Sequence, residues 1–204
     1  MPHAHITFDE AELAMDRLLG IRTTGRDESH ASLDNNPYEP TPYGVLERLA
    51  NSGYLRKGNL LVDYGCGKGR VGLFLSYQTR CQSLGVEWDQ WLYEAAVRNQ
   101  QHAVSGRRAQ FVRDDACTFV PPAHADRFYF FNPFSAEIFT QALAHINDAL
   151  TPASPGALVL LYYPDDTYRA VLEVTWNLRE VIDCRDLFDG CDPRERIEIW
   201  EQRR

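Results

Sequence analysis

A few carboxylates, three glycines and one amide hold most of the chemistry this chain can offer, and their spacing is specific. In "LLVDYGCGKGRVGLFLS", Leu60–Ser76, an apolar run enters Gly65, Gly67 and Gly69, and an apolar helical pattern follows at once. Glycine permits φ > 0 in so sharp a strand-to-helix turn and lets a ligand approach the backbone closely. The helix beyond it presents free N–H groups and a positive dipole end. Asp63 stands two residues before Gly65. Glu87, in "GVEWD", follows Gly65 by 22 residues, where a carboxylate can accept both hydroxyls of a ribose. "RDDACTF" adds Asp114 and Asp115, able to accept from the exocyclic amine of adenine, and "FNPFS" adds Asn132.

The glycine spacing separates two ligand classes. A dinucleotide fingerprint reads G-x-G-x-x-G/A. Here the third position of that pattern is Arg70, and the last glycine falls at Gly69 instead. Acidic groups at neighbouring strand ends suit a cationic nucleoside without phosphates.

The elements that must position these groups follow from periodicity. A short amphipathic helix is expected over Asp9–Leu19, with Leu13, Met15, Leu18 and Leu19 as its apolar residues and Gly20 as its stop. The polar, turn-rich stretch from Ile21 to Pro40 is long enough to be functional. Thr41-Pro42 reads as an N-cap and first helical position, with a helix to about Ala50 closed by Gly53. Strands and helices then alternate: strand Leu60–Tyr64, helix Lys68–Gln78, strand Gln82–Trp88, helix Gln90–His102, strands Ala109–Arg113 and Arg127–Phe131, helix Ala136–Leu150, strand Ala157–Tyr163. That order means a parallel sheet covered on both faces. "WNLREVIDCRDLF" and "RERIEIWEQ" read as a closing antiparallel hairpin joined through "DGCDP".

"VDYGCGKGR", "GVEWD", "DDA" and "FNPF", in this order, resemble the class I S-adenosylmethionine-dependent methyltransferases over roughly Thr41–Leu161. The resemblance implies a three-layer α-β-α sandwich: a seven-stranded, mostly parallel sheet with a reversed last strand, the Rossmann-like methyltransferase fold. It implies a methyltransferase domain over 41–204, preceded by an N-terminal helix and arm, 1–40, that covers the cofactor site. S-adenosyl-L-methionine is the implied cofactor. Asp63, Gly65, Cys66, Gly67 and Gly69 would cradle its methionine end, Glu87 would hold the ribose, Trp88 would flank the adenine, and Asp115 with the backbone of Ala116 would hold it. "FNPF" is similar to the Asn-Pro-Pro-Tyr/Phe signature of enzymes that methylate amino nitrogens, with one proline, Pro133, in place of two. By that likeness Asn132 orients the nucleophile or contributes to the methionine side, and Phe134 shapes the acceptor pocket; otherwise the motif is an Asn-Pro turn. In the arm, Tyr38 or Thr41 would cover the methionine carboxylate at the Pro42 helix start, while Tyr43 packs inward.

Methyl transfer by in-line displacement depends mainly on positioning. A base is needed only where the acceptor is protonated, and Tyr38, Asp165 and Asp166 are the candidates. Lys68 and Arg70 fall in a first helical turn, where the dipole disfavours bases; solvated side chains are expected there, with pairing to an acidic strand end as the alternative. Cys66 needs no role as a nucleophile.

Composition bounds the partners. The chain has 204 residues, a net charge of −8 and a pI near 5.2, which argues against tight binding to a nucleic-acid backbone. Five widely spaced cysteines without a CxxC pair fit reduced thiols in the cytoplasm, and no Cys or His spacing suggests a metal site; His3 and His5 read as a solvated terminus. No membrane span is expected, since the longest apolar run is "ALVLLYY". The favoured reading is a monomeric or homodimeric methyltransferase for a small molecule or protein side chain. A nucleic-acid methyltransferase and a non-catalytic S-adenosylmethionine-binding protein are the alternatives, with a nicotinamide dehydrogenase a distant further one.

Overall fold

The computed structural model of the protein describes residues 7–28, 36–150 and 156–203. His3 and His5 lie outside the described residues. The elements run α1 (Phe8–Leu19), α2 (Tyr43–Asn51), β1 (Leu60–Tyr64), α3 (Arg70–Thr79), β2 (Gln82–Glu87), α4 (Gln90–His102), β3 (Ala109–Arg113), β4 (Arg127–Phe130), α5 (Ala136–Ala149), β5 (Leu158–Tyr162), α6 (Asp166–Thr175), β6 (Trp176–Asp183) and β7 (Arg196–Gln202).

The strands form one seven-stranded sheet in the order β3-β2-β1-β4-β5-β7-β6. The first five are mutually parallel, and β7 runs antiparallel to both β5 and β6. Alternation along the central strands feeds two cores. Leu61, Tyr129 and Leu160 face the layer holding Leu46 of α2, Phe74 of α3 and Ala96 of α4. Val62, Phe128 and Leu161 face the layer holding Phe139 of α5 and Leu172 of α6. A strand buried on both sides must be apolar throughout, which is why β5, "LVLLY", is buried at every position.

Three local expectations need correction. The sequence assigns no helix between β5 and the final hairpin, but α6 is there, capped by Asp165, whose side chain accepts from the Thr167 N–H at 2.8 Å. Its β-branched residues mask a helical face made by Tyr168 and Leu172, which are buried at i, i+4 spacing. In α1 the apolar set divides: Leu19 is buried and Met15 packs against the core, but Leu13 and Leu18 are exposed, and Glu12 and Asp16 are buried in their place. Thr41 does not cap α2. Its hydroxyl pairs with that of Tyr129 at 2.9 Å, Pro42 takes the cap position, and the Tyr43 N–H donates to Glu12 of α1 at 2.9 Å. No helix among the described residues is long and apolar enough to cross a membrane.

Candidate functional site

The sheet order brings Asp115, Glu87, Asp63, Asn132 and Tyr163 side by side, because each follows or closes one of the neighbouring strands β3, β2, β1, β4 and β5. They line one continuous cavity of about 1150 Å³. That volume exceeds the usual upper bound of about 1,000 Å³ for a single small-ligand pocket.

Asp63 lies at its centre. It is 2% exposed, and its Oδ2 has no hydrogen-bond partner. Burial, and then the neighbouring Glu87 charge, push its carboxyl up to about 8. An unpaired buried carboxylate is costly unless a cationic or donating ligand pairs with it. Glu87 is already half used by the protein: Oε2 accepts from the Gly67 N–H at 2.8 Å and Oε1 from the Asp89 N–H at 3.0 Å. Burial raises its carboxyl as well, against the lowering effect of those two donors. Glu87 therefore shapes the glycine loop and faces the cavity at the same time.

The glycines do more than admit a ligand. Gly65 has φ +70°, and a Cβ there would stand 2.3 Å from the Cβ of Pro133, so the "FNPF" turn rests directly on the glycine loop. Gly67 has φ +54°, and its Cβ would meet the Tyr38 ring at 2.3 Å. Gly69 does not line the cavity, contrary to expectation. It is the left-handed cap of α3, packed against Phe111.

Asn132 adopts φ +38° and Tyr163 φ +51°, strained values for residues other than glycine. The two are tied together: Asn132 Nδ2 donates to the Tyr163 carbonyl at 2.6 Å, which leaves the buried Oδ1 without a partner. Phe134 lines the cavity but is mostly core, packed edge-on to Phe130. Trp88 is half exposed at the rim, Ala116 is buried, and Asp115 spends Oδ1 on the Cys117 N–H at 2.8 Å.

The arm closes one side. Asn36 donates its N–H to the Pro133 carbonyl (3.1 Å) and its side-chain amide to the Asn132 carbonyl (2.6 Å). Tyr38 covers Gly67 and gives its hydroxyl proton to the Thr23 carbonyl at 2.6 Å. Burial drives that phenol far above its ordinary range, so Tyr38 is a cover and not a base. Asp165 and Asp166 fail as bases too: the first caps α6, the second is exposed beside Arg169, and neither lines the cavity. Cys66 is buried, and burial with the Asp63 and Glu87 charges pushes its thiol well up, which removes thiolate character.

Arg70 reverses expectation. It is 2% exposed and ion-paired with Glu12, and it donates to Thr23 Oγ1 (2.7 Å), Thr24 Oγ1 (2.9 Å) and the Thr41 carbonyl (3.2 Å). Lys68 is not simply solvated either; its ammonium sits 4.5 Å from the Tyr38 ring centroid. The sequence signal for the Arg70 cluster is the Glu12/Asp16 pair at i, i+4 on α1, two carboxylates on one helix face. Glu195, Tyr162 and Phe131 also line the cavity, and none stood out as a site residue in the sequence.

Comparison with solved structures bears on this geometry. An RNA methyltransferase from Salinibacter ruber, in complex with S-adenosyl-L-homocysteine, superposes with TM-score 0.63 at 19% identity over 80% of this chain and 94% of its own. The chain has the class I methyltransferase fold. A SAM-dependent methyltransferase from Thiobacillus denitrificans, in complex with S-adenosyl-L-homocysteine, matches with TM-score 0.57 at 14% identity over 85% of this chain and 93% of its own. Magnesium protoporphyrin IX methyltransferase from Synechocystis, with SAM bound, matches with TM-score 0.58 at 14% identity over 78% and 76%. The methyltransferase fold is thus shared with proteins whose own acceptors differ. No protein-family model matches the sequence, and no curated protein does.

Proposed function

We propose that this protein is an S-adenosylmethionine-dependent methyltransferase. The observation that carries the reading is Asp63, a buried carboxylate with an unpartnered oxygen, set in the cavity at the end of β1 behind the glycine loop. The chemistry of the residues present fits the cofactor. Asp63 would take its ammonium, Glu87 its ribose hydroxyls, and Asp115 with Ala116 its adenine, while Gly65 and Gly67 provide the backbone beneath. When bound, the cofactor supplies a methyl group already activated on a sulfonium. The protein's part is to align an acceptor with it and keep water out. Asn132 is the group best placed to orient an acceptor: the Pro133–Gly65 contact fixes its turn against the glycine loop, and its Oδ1 is free to accept a hydrogen bond.

The reading of a nucleic-acid acceptor has the Salinibacter ruber neighbour in its favour. Against it stands a cavity wall rich in carboxylates, including Glu39, Asp114, Asp189 and Glu195, which would repel a phosphate backbone. Titration calorimetry with S-adenosylhomocysteine and with NAD tests the main reading. Micromolar-range binding of the first and none of the second is expected. Tight NAD binding without a response to S-adenosylhomocysteine would sink it.

A further inference from the structure

The cavity continues past Asn132 to a second end, walled by Phe131, Tyr162 and Tyr163 and bearing Glu195. The rings pack on one another: Phe131 lies 4.7 Å from Tyr162 and 6.2 Å from Tyr163, centroid to centroid. Glu195, from the segment just before β7, is held at this wall by the buried Tyr162 hydroxyl, which donates to its Oε2 at 2.6 Å.

A census of side-chain donors and acceptors at this end is one-sided. Tyr162 gives its proton to Glu195, and Tyr163 gives its own to Asp192 at 2.7 Å. The Asn132 amide N–H₂ donates to the Tyr163 carbonyl. The Arg26 guanidinium is engaged by Glu28 at 3.0 Å and Glu39 at 3.3 Å. Arg194 lies over the Tyr163 ring and pairs with Asp192 at 3.0 Å. Between Thr41 and Tyr129 a single hydroxyl proton is left over. Free acceptors remain: Asn132 Oδ1, which is buried and unpartnered, and the Glu195 carboxylate, which an ionised oxygen pair leaves with spare lone pairs. A ligand that satisfies these two acceptors must donate. Aromatic faces beside a carboxylate favour a cation over a neutral group, and both disfavour an anion.

We infer that the second end of the cavity is an acceptor subsite for an amine: Glu195 pairs with its ammonium and takes its proton, Asn132 Oδ1 accepts a remaining N–H, Phe131, Tyr162 and Tyr163 cover the apolar part, and the freed nitrogen lone pair would form the N–CH₃ bond as the carbon–sulfur bond of the sulfonium breaks. This rests on the methyltransferase reading for its catalytic meaning, though the subsite's charge preference stands by itself. It names the substrate class of the proposed enzyme: a small amine, or an amine-bearing side chain thin enough to enter, in preference to alcohols, carboxylates and nucleic acid.

The test uses three phenyl-bearing probes, benzylamine, its isostere benzyl alcohol, and the anion benzoate, by saturation-transfer NMR with and without saturating S-adenosylhomocysteine. Benzylamine is expected to bind at least tenfold more tightly than either other probe. Glu195→Gln keeps an acceptor for Tyr162 but removes the charge; it should bring benzylamine within about threefold of the alcohol while S-adenosylhomocysteine affinity stays within about twofold. Equal binding of the probes, no benzylamine binding, or full discrimination in Glu195→Gln would overturn the inference. The two readings fail separately. A protein that binds S-adenosylhomocysteine without preferring the amine refutes the subsite alone, whereas amine preference without S-adenosylhomocysteine binding refutes the methyltransferase reading alone.

Discussion

Buried carboxylates on the two flanks of the glycine loop have opposite fates. On the α1 side, Asp16 accepts from the Thr23 N–H and hydroxyl, both at 2.6 Å, from the Thr24 N–H at 2.9 Å and from the Tyr43 hydroxyl, and Arg70 stands 3.7 Å away. Burial alone would raise its carboxyl, but those hydrogen bonds win and hold it low. On the sheet side Asp63 is equally buried, and one of its oxygens has no partner. The difference teaches how to tell structure from site inside one core. The saturated cluster joins α1, the arm, α2 and α3 and has no hydrogen-bonding left to offer. The unsaturated one carries a desolvation cost that is relieved by a retained proton or by a ligand that pairs with it.

The largest break in this comparison is expected at Arg70. Arg70→Met leaves Glu12 and Asp16 buried without their counter-charge, which should cost about 3–5 kcal/mol of stability, read from the urea midpoint. A loss below about 1 kcal/mol would mean that the cluster is solvated in solution. Glu87 falls between the two cases, since it serves the loop and faces the cavity. Glu87→Ala should weaken S-adenosylhomocysteine binding by roughly 1–3 kcal/mol, seen by calorimetry, and should also lower stability slightly as the Gly67 and Asp89 N–H groups lose their acceptor. Unchanged affinity in a folded variant would show that Glu87 only braces the loop.

The Asp63 effect is smaller in stability and sharper in its pH dependence. Its carboxyl is raised to about 8 in the folded chain, so the folded chain keeps a proton that the unfolded chain releases in the ordinary carboxylate range. Ligand-free stability should therefore fall as pH rises from that range toward about 8. Asp63→Asn should flatten the profile and raise ligand-free stability near neutral pH, while abolishing measurable S-adenosylhomocysteine binding. In the wild type, an incoming ammonium favours the ionised carboxylate, so binding should release up to about one proton. Calorimetry in two buffers of different ionisation enthalpy reads that directly; identical heats would argue that Asp63 is already ionised before the ligand arrives.

Much of this was legible in the sequence where a short range decides the outcome. The glycine loop, Asp63 and Glu87 announce themselves by strand period, turn chemistry and fixed spacing. The reversed last strand followed from the resemblance, and β7 is where it was expected. What escaped depends on distant pairings. Arg70 reads as an ill-placed base in a helix's first turn until Glu12, 58 residues earlier, is folded against it. Pro133 reads as a turn residue until Gly65 lies beneath it. Glu195 has no local signature at all and becomes a wall residue only through Tyr162. Helix α6 was missed for a different reason, since its β-branched residues blur its own periodicity.

The placement of β7 sets a schedule for making the protein. β6 is synthesised first, yet its sheet neighbour is β7, which inserts between β6 and β5. A nascent chain that has exposed Trp176–Asp183 but not Arg196–Gln202 has a strand with nothing to pair to and a sheet edge at β5 left open. Glu195 immediately precedes that last strand, so the far wall of the cavity is the final part to be built. Until the closing strand has left the ribosome, the glycine loop can be formed while the Glu195 wall of the cavity is still absent.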